Sequence, residues 1–255
     1  MTTLKQKLAQ QQALLGTFLK TPHYHTSEVL SRAGLDVLCL DAEHAPYSRA
    51  DLDANILACR ANQQDVLIRV PNDHHDTLLN ALDLGATGVV VPHVKSASQL
   101  NQIIQHCFYG DKGRGYAGST RAAGYTTQSI QENLSINRQQ TVVIAQLEDL
   151  AALDDIDKIM AVDGCDCYFI GRMDLTVALG ETDPKAPAVM AAVSDIVAAA
   201  KRANKTTGMF IADMSELGMW LAQGVSLFLL NSDHGFMLAG AKALKQNFEQ
   251  ANKPS

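Results

Sequence analysis

Eight short apolar runs, each followed by a stretch of helical pattern, constrain the fold of this chain more than any other feature of its 255 residues. The runs are rich in β-branched and aromatic residues and are bounded by polar ones, which is typical of buried strands in a parallel sheet. They lie at residues 13–20, 36–41, 65–70, 88–92, 141–148, 165–174, 207–212 and 226–231. Regular alternation of strand and helix predicts a parallel sheet, and eight repeats predict closure into a (β/α)8 TIM barrel, here preceded by a short N-terminal helix.

The length of the chain predicts one barrel domain spanning residues 1–255. A doubly wound open sheet is the alternative, but it requires a glycine-rich turn after the first strand, where this chain has Leu19-Lys-Thr-Pro22. The longest irregular stretch covers residues 110–140. We interpret its glycine-rich first half as a mobile loop over the barrel mouth, with Arg114 or Arg121 tethering it or meeting substrate. It lacks the Gly-Lys-Ser/Thr ending of a phosphate-binding loop.

Charge and composition exclude several classes of function. The net charge of −6 and the pI near 5.7 argue against a nucleic-acid or anionic-membrane partner. No run approaches the roughly 18–20 apolar residues of a membrane span, and the N-terminus lacks the apolar core of a signal peptide. The five cysteines lie in predicted strands and helices, which is typical of buried free thiols. Together these features predict a cytoplasmic protein.

Two acidic residues, Glu148 and Asp174, follow consecutive apolar runs. If the runs are neighbouring parallel strands, the two carboxylates face one another at the same rim. Unassisted, they repel and raise each other's pKa, whereas a divalent cation between them lets both stay ionised. Oxygen ligands suit Mg²⁺ or Mn²⁺, with Co²⁺ as a further possibility. The alternative is that both acids cap helix N-termini.

Other polar side chains stand at the predicted strand ends, where chemistry sits in such barrels. The inventory comprises Asp41, Glu43, His44, Arg69, His93, Gln146, Glu148, Gly171, Asp174, Asp213, Asn231, Asp233 and His234. Burying Arg69 is costly unless it meets an anion, either a substrate or a neighbouring strand-end acid. A cation and Arg69 suit the stabilisation of an enolate oxygen while His44 moves a proton. No lysine stands at an obvious strand end, which counts against a Schiff-base aldolase.

At these residues the sequence resembles the HpcH/HpaI aldolases, class II metal-dependent pyruvate aldolases of the phosphoenolpyruvate-binding barrel superfamily. The matching stretches are Leu40-Asp-Ala-Glu-His-Ala-Pro46, Ile68-Arg-Val-Pro-Asn72, Ala81-Leu-Asp-Leu-Gly-Ala86, Val91-Pro92, Gly113-Arg-Gly115, Ala145-Gln-Leu-Glu148, Phe169-Ile-Gly-Arg-Met-Asp-Leu175 and Asn231-Ser-Asp233. They run in the family's order and cover essentially residues 15–243. The resemblance implies reversible cleavage of a 4-hydroxy-2-oxo acid into pyruvate and an aldehyde through a metal-held enolate.

The resemblance also implies a role for each matching residue. Glu148 and Asp174 would be the metal ligands, and backbone N–H groups of Gly171, Arg172, Met173 and Asp174 would hold the substrate carboxylate. Arg69 would neutralise the enolate, and Gln146 would hydrogen-bond near the bound keto acid. His44 would be the acid and base, supported by Asp41 and by Asp83, the latter from a neighbouring subunit. Family members are typically homohexamers, trimers of dimers that exchange the C-terminal helix.

Three departures from the family's pattern bear on the choice of substrate. Arg172 stands where many members carry Pro or Thr, and it either engages a second acidic group of the substrate or, as we favour, points to solvent. His93 stands where the family often has an apolar residue, and Asp149 replaces a more usual Thr or Ser. The remaining alternatives are an acyl-CoA lyase on the same barrel and a non-catalytic keto-acid-binding barrel.

Overall fold

A computed structural model describes residues 2–252. Its strands are β1 Leu14–Leu19, β2 Val37–Asp41, β3 Asp65–Arg69, β4 Gly88–Val91, β5 Val142–Leu147, β6 Cys167–Ile170, β7 Thr207–Met209 and β8 Val225–Ser232. Its α-helices are α1 Leu4–Ala9, α2 Tyr24–Leu30, α3 Arg49–Ala61, α4 His75–Asp83, α5 Ala97–Cys107, α6 Ile130–Gln140, α7 Leu150–Asp154, α8 Ile156–Met160, α9 Arg172–Ala178, α10 Pro187–Arg202, α11 Leu217–Gln223 and α12 Asp233–Ala251. A short 3₁₀ helix, Met214–Glu216, precedes α11.

The eight strands close into a barrel in chain order, with every neighbouring pair parallel and β1 paired to β8. The predicted (β/α)8 barrel with a short N-terminal helix is therefore confirmed, and the open doubly wound sheet is excluded. The register aligns Asp41 with Arg69 and Gln146 with Phe169, which brings the ends of adjacent strands to one rim.

Two apolar layers hold the barrel together. One cluster fills the barrel interior and includes Phe18, Leu67, Ile144 and Leu229. A larger cluster lies between the strands and the surrounding helices and includes the fully buried Trp220. The two clusters form because the strands are apolar on both faces, one facing the barrel interior and the other facing the helices, as expected where helices cover a parallel sheet. Among residues 2–252, no helix combines the length and the apolar composition needed to cross a membrane.

The stretch 110–140 differs from its prediction in two ways. Its second half forms α6, because the Ser129 side chain caps the helix and the Glu132 carboxylate accepts a hydrogen bond from the Ser129 backbone N–H. Its first half lies at the N-terminal end of the barrel, where Arg114 and Ala122 line a cleft with Leu4 and the strand-preceding Thr87. The prediction of a loop over the mouth was wrong, since α5 has already carried the chain from the C-terminal to the N-terminal end of the barrel.

The segment after β6 also differs from its prediction. The apolar run at 165–174 ends as a strand at Ile170, and α9 begins only two residues later, at Arg172. Asp174 therefore lies in the first turn of α9 rather than on a strand, with its side chain exposed. No polar loop separates β6 from α9 in the sequence, so the apolar pattern runs on into Met173-Asp-Leu-Thr and hides the boundary between strand and helix.

Candidate active site

A cavity of about 350 Å³ opens at the C-terminal end of the barrel. Phe18, Phe169 and Phe210 give it apolar walls, and the first two pack edge to face with their centroids 6.4 Å apart. The polar residues around it are Lys20, His44, Arg69, Gln146, Arg172, Asp174, Asn231 and Ser232. Most of the predicted site residues therefore surround one concave space, which is where ligands bind in barrels of this kind.

Glu148 is a buried carboxylate of this rim, with a side chain only 1% exposed. Its Oε2 accepts a hydrogen bond from the amide of Gln146, and its Oε1 accepts one from the backbone N–H of His93 at 2.9 Å. The absence of a side chain at Gly171 makes space for this carboxylate, because a Cβ at that position would lie 2.3 Å from Oε2. Burial raises the pKa of Glu148, and the negative charge of Asp174 raises it further.

Asp174 lies in the first turn of α9 and lines the same cavity as Gln146. Its charge acts on Glu148, so the two acids share one rim as the sequence predicted. Glu148 and Asp174 offer one buried and one exposed carboxylate, and Gly171 has no side chain to fill the space next to Glu148. This is a donor set that a hard divalent cation fits. The cation would relieve the repulsion that opposes ionisation of Glu148.

Arg69 forms a two-pronged ion pair with Asp41, with Nε at 2.9 Å from Oδ1 and an η-nitrogen at 2.8 Å from Oδ2. Asp41 is fully buried, and its guanidinium partner lies 4.7 Å above the ring of Phe18. Burial alone would raise the pKa of Asp41, but the hydrogen bonds from Arg69 outweigh it and lower the pKa. The strand-end acid predicted as the structural partner of Arg69 is thus present. The pair uses only part of the guanidinium's five N–H groups, and Arg69 still lines the cavity.

His44 stands at the mouth with 54% of its side chain exposed. Its backbone N–H donates to Asp41 Oδ1 at 3.2 Å, so Asp41 positions the loop that carries His44 rather than the imidazole itself. The nearest carboxylate to the ring is that of Glu43, with His44 Nε2 3.6 Å from Oε2. Glu43 is the member of Asp41-Ala-Glu-His44 that the predicted roles omitted.

A second group of ligand-type side chains adjoins Glu148. Donor atoms of Glu43, His93 and Glu148 all lie within 4.8 Å of one another. The imidazole of His93 also meets Asp149, with Nδ1 3.0 Å from Oδ2. Partial burial would lower the pKa of His93, but the hydrogen bond to Asp149 and the charges of Glu148 and Glu43 raise it. His93 and Asp149, the two residues that depart from the family's pattern here, therefore contact each other at the site.

Arg172 does not point to solvent, and that expectation was wrong. Its side chain is 4% exposed and forms a buried ion pair with Glu216, the shorter contact being 2.5 Å. Glu216 also accepts a hydrogen bond from Trp220 Nε1 at 3.2 Å. The bonds from Arg172 lower the pKa of Glu216. Arg172 thus ties α9 to the 3₁₀ helix beside the cavity, and Glu216 is a site-supporting residue that the sequence pattern did not reveal.

Asp83 lies at the end of α4 and is paired with Arg114, whose Nε donates to Oδ1 at 3.0 Å. Within residues 2–252 of this chain it makes no hydrogen bond or ion pair with His44. Arg121 reaches the backbone oxygen of Leu84 at 2.8 Å, so both arginines tether the segment after α5, as one of the two alternatives predicted.

Lys20 overturns the expectation that no lysine occupies a strand end. It directly follows β1, lines the cavity and lies with Nζ 3.4 Å from Asp41 Oδ2. The signal was present in the sequence, since Lys20 closes the first apolar run. Its ammonium shares Asp41 with Arg69 and adds positive charge to the floor of the cavity.

Comparison with known proteins places this geometry among aldolases. A family model described as HpcH/HpaI aldolase/citrate lyase matches residues 14–238. The chain is 30% identical over 251 residues to a hydroxypyruvate/pyruvate aldolase of Paraburkholderia phytofirmans, covering 95% of this chain and 96% of that protein. It is 33% identical over 242 residues to a 2-dehydro-3,6-dideoxy-6-sulfogluconate aldolase of Pseudomonas putida, covering 93% of each.

A similar structure extends the likeness to three dimensions. The crystal structure of a HpcH/HpaI aldolase/citrate lyase family protein from Burkholderia cenocepacia superposes with a TM-score of 0.92 at 28% identity. The match covers 98% of this chain and 100% of that one.

Proposed function

The chain belongs to the HpcH/HpaI aldolase/citrate lyase family, and from this premise we propose that it cleaves a 4-hydroxy-2-oxo acid reversibly into pyruvate and an aldehyde. It is an enzyme of the aldolase class, as its family and its relatives at 30% and 33% identity indicate. The observation that carries the proposed substrate class is the pairing of buried Glu148 with Asp174 beside a cavity that also contains Arg69.

Glu148 and Asp174 would hold the divalent cation, with Mg²⁺ or Mn²⁺ the ions that an oxygen-rich donor set favours. Carbon–carbon cleavage leaves an enolate, and the chemistry that a bound cation supplies is stabilisation of its negative oxygen. The small cavity suits a three-carbon keto acid with a short aldehyde partner. Its aromatic walls give the reacting carbons an apolar surrounding, in which electrostatic contacts are stronger than in water.

The chain's own side chains orient the keto acid and neutralise its charge. Arg69 is held rigidly by Asp41, so its remaining N–H groups offer a fixed positive charge to the developing oxyanion. Gln146 lies at the floor of the same cavity, within hydrogen-bond reach of Glu148. The first turn of α9 leaves the N–H groups of Arg172, Met173 and Asp174 without partners inside the helix, available to a substrate carboxylate. The Gly171 N–H, which was expected to join them, instead donates to the Leu147 carbonyl at 3.0 Å.

Proton transfer falls to His44 in this proposal. In the cleavage direction, Nε2 of His44 accepts the proton of the substrate's 4-hydroxyl group as the carbon–carbon bond breaks, and returns it in the condensation. Its exposed position at the mouth puts it beside the aldehyde half of the substrate, with the Glu43 carboxylate 3.6 Å from Nε2.

Metal removal tests the proposal directly. After dialysis against a chelator, retro-aldol release of pyruvate should fall to background and return on adding Mn²⁺ or Mg²⁺. Full activity in the chelated protein would reject it. A barrel that only binds keto acids would turn over nothing, and His44→Ala should abolish turnover while the matched surface variant His74→Ala keeps it. Competition by coenzyme A would instead favour the acyl-CoA lyase alternative.

We also propose that the chain assembles as a homohexamer, a trimer of dimers exchanging α12. Along this helix the exposed side chains include Phe236, Met237, Leu238, Leu244 and Phe248. An exposed apolar stripe of this size is typical of an interface. Leu244→Glu should reduce the mass seen by light scattering, whereas Lys242→Glu on the same helix should not. An unchanged mass for Leu244→Glu would contradict the proposed exchange.

Three further points belong to the same proposal. In the assembly, Asp83 of one copy would support His44 of another, as the resemblance to the family implies, while keeping its pair with Arg114. A cytoplasmic location is supported by Cys39, Cys59, Cys107, Cys165 and Cys167, all buried and free of disulfides. We propose that residues 1–255 belong to one domain, because a single closed barrel uses the described strands from Leu14 to Ser232.

A further inference from the structure

The imidazole of His93 lies among three carboxylates at the end of β4. Its Nδ1 is 3.0 Å from Asp149 Oδ2 and 3.4 Å from Glu148 Oε1, while its Nε2 is 3.7 Å from Glu43 Oε1. The donor atoms of Glu43, His93 and Glu148 lie within 4.8 Å of one another, a spacing that one ion can bridge. Glu43 and His93 are therefore additional to the two proposed metal ligands, Glu148 and Asp174.

The backbone conformation that positions this imidazole is strained. His93 has a φ of 55°, the left-handed region that non-glycine residues seldom adopt. Its N–H donates to Glu148 Oε1 at 2.9 Å, and its carbonyl accepts from Gln99 Nε2 at 3.2 Å. These two hydrogen bonds keep the strained conformation and fix the ring next to Glu148, a pattern seen at functional sites.

The contact with Asp149 is the arrangement that orients histidine ligands in metal centres. A carboxylate that accepts from Nδ1 fixes the tautomer and leaves the Nε2 lone pair free for a cation. Here Nε2 is the atom nearest Glu43, whose side chain is only 10% exposed. Glu43 Oε1 is the oxygen that faces His93, whereas Oε2 faces Arg69 Nε at 3.4 Å and His44 Nε2 at 3.6 Å without a hydrogen bond among the described residues.

We propose that His93, oriented by Asp149, is a nitrogen ligand of the divalent cation held at Glu148, with Glu43 as an additional oxygen donor. The inference rests on the proposed metal-dependent function and adds a specific consequence to it. A nitrogen donor favours Mn²⁺, Co²⁺ or Zn²⁺ over Mg²⁺, because imidazole suits transition-metal ions and Mg²⁺ prefers oxygen. The cation preference of this chain is then set by two positions that depart from the family's pattern.

Electron spin-echo spectroscopy of the chelator-treated protein, reloaded with Mn²⁺ alone, tests the ligand assignment. Wild type should show nitrogen hyperfine coupling to the Mn²⁺ ion, and His93→Asn should lose it. Asparagine tolerates the left-handed backbone, so this variant keeps the local fold. His44→Gln is the matched control, since its ring also lies near Glu43 and its loss should leave the coupling unchanged.

Titration calorimetry provides a second readout that does not require turnover. His93→Asn should weaken Mn²⁺ binding by more than about 10–100-fold, which is the range for loss of a residue that only orients a ligand. Mg²⁺ binding should change less, so the preference for Mn²⁺ over Mg²⁺ should fall. Asp149→Asn should move affinity in the same direction by a smaller factor, because it removes only the orienting contact.

The inference and the proposed function fail in different experiments. Absence of nitrogen coupling in wild type, or its persistence in His93→Asn, would overturn the assignment of His93 even in an active aldolase. Nitrogen coupling that disappears in His93→Asn, in a protein that releases no pyruvate from 4-hydroxy-2-oxo acids, would support the ligand and refute the proposed reaction.

Discussion

Replacing Glu216 with Gln should destabilise this barrel strongly, because it removes the charge that compensates buried Arg172. Both side chains are almost fully buried, at 4% and 9% exposed, so water cannot replace the lost partner. Removing one member of a buried ion pair costs about 3–5 kcal/mol. The amide of glutamine can still accept one neutral hydrogen bond, worth about 1 kcal/mol. The net loss is therefore about 2–4 kcal/mol at pH 7.

A thermal melt measures this loss. For chains of this size each kcal/mol moves the midpoint by about 2–4 °C, so Glu216→Gln should melt about 4–16 °C below wild type. Trp220 donates to Glu216 and is the only tryptophan in the chain, so its fluorescence reports on the pair. Protein concentration is held constant, because assembly also affects the midpoint. Exposed Glu28→Gln makes the same charge change without a buried partner and should melt like wild type.

The pH dependence supplies an independent check on the cause. Arg172 lowers the pKa of Glu216 in the folded protein, so the pair stabilises the fold above the unfolded glutamate pKa of about 4.3. This stability is lost as the pH falls through the lower folded pKa, and the difference between wild type and Glu216→Gln should shrink there. The double variant Arg172→Met with Glu216→Leu should recover most of the stability, since an apolar pair leaves no unpaired charge. A Glu216→Gln midpoint equal to wild type at pH 7, or a deficit that does not depend on pH, would refute the reasoning.

Two further substitutions probe the rim. Gly171→Ala places a Cβ 2.3 Å from Glu148 Oε2, and overpacking of about 1–3 kcal/mol should weaken Mn²⁺ binding by roughly 5–150-fold in calorimetry. Gly218→Ala, where no atom lies within 4 Å of the added Cβ, should bind like wild type, and equal affinities for the two variants would remove the packing argument. Asp41→Asn deprives Arg69 of its ionised partner, and loss of a charged hydrogen bond of about 1.5–3 kcal/mol should lower kcat/KM by roughly 10–150-fold in the retro-aldol assay. An Asp41→Asn enzyme with unchanged kcat/KM would show that Arg69 needs no fixed orientation.

The barrel could be predicted because its signal is local. Eight apolar runs of strand length alternate with helical patterns, and burial of both faces of a parallel sheet is visible within each run. The rule that chemistry sits at strand ends then selects Asp41, Arg69, Gln146 and Glu148 without any coordinates. The register confirms one of these groupings directly, since Asp41 and Arg69 are aligned partners of β2 and β3.

Side-chain pairs between distant segments required the tertiary structure. Arg172 and Glu216 are 44 positions apart, and His93 and Asp149 are 56 apart. No periodic pattern couples such positions, so Arg172 was expected in solvent and His93 was only a departure from the family's pattern. The end of the barrel reached by residues 110–124 follows from where α5 stops, which depends on packing. Composition and periodicity by themselves determined the barrel and the rim that holds the acids. The contacts of each rim side chain were decided by folding, because they depend on distances between strands that the chain order alone does not define.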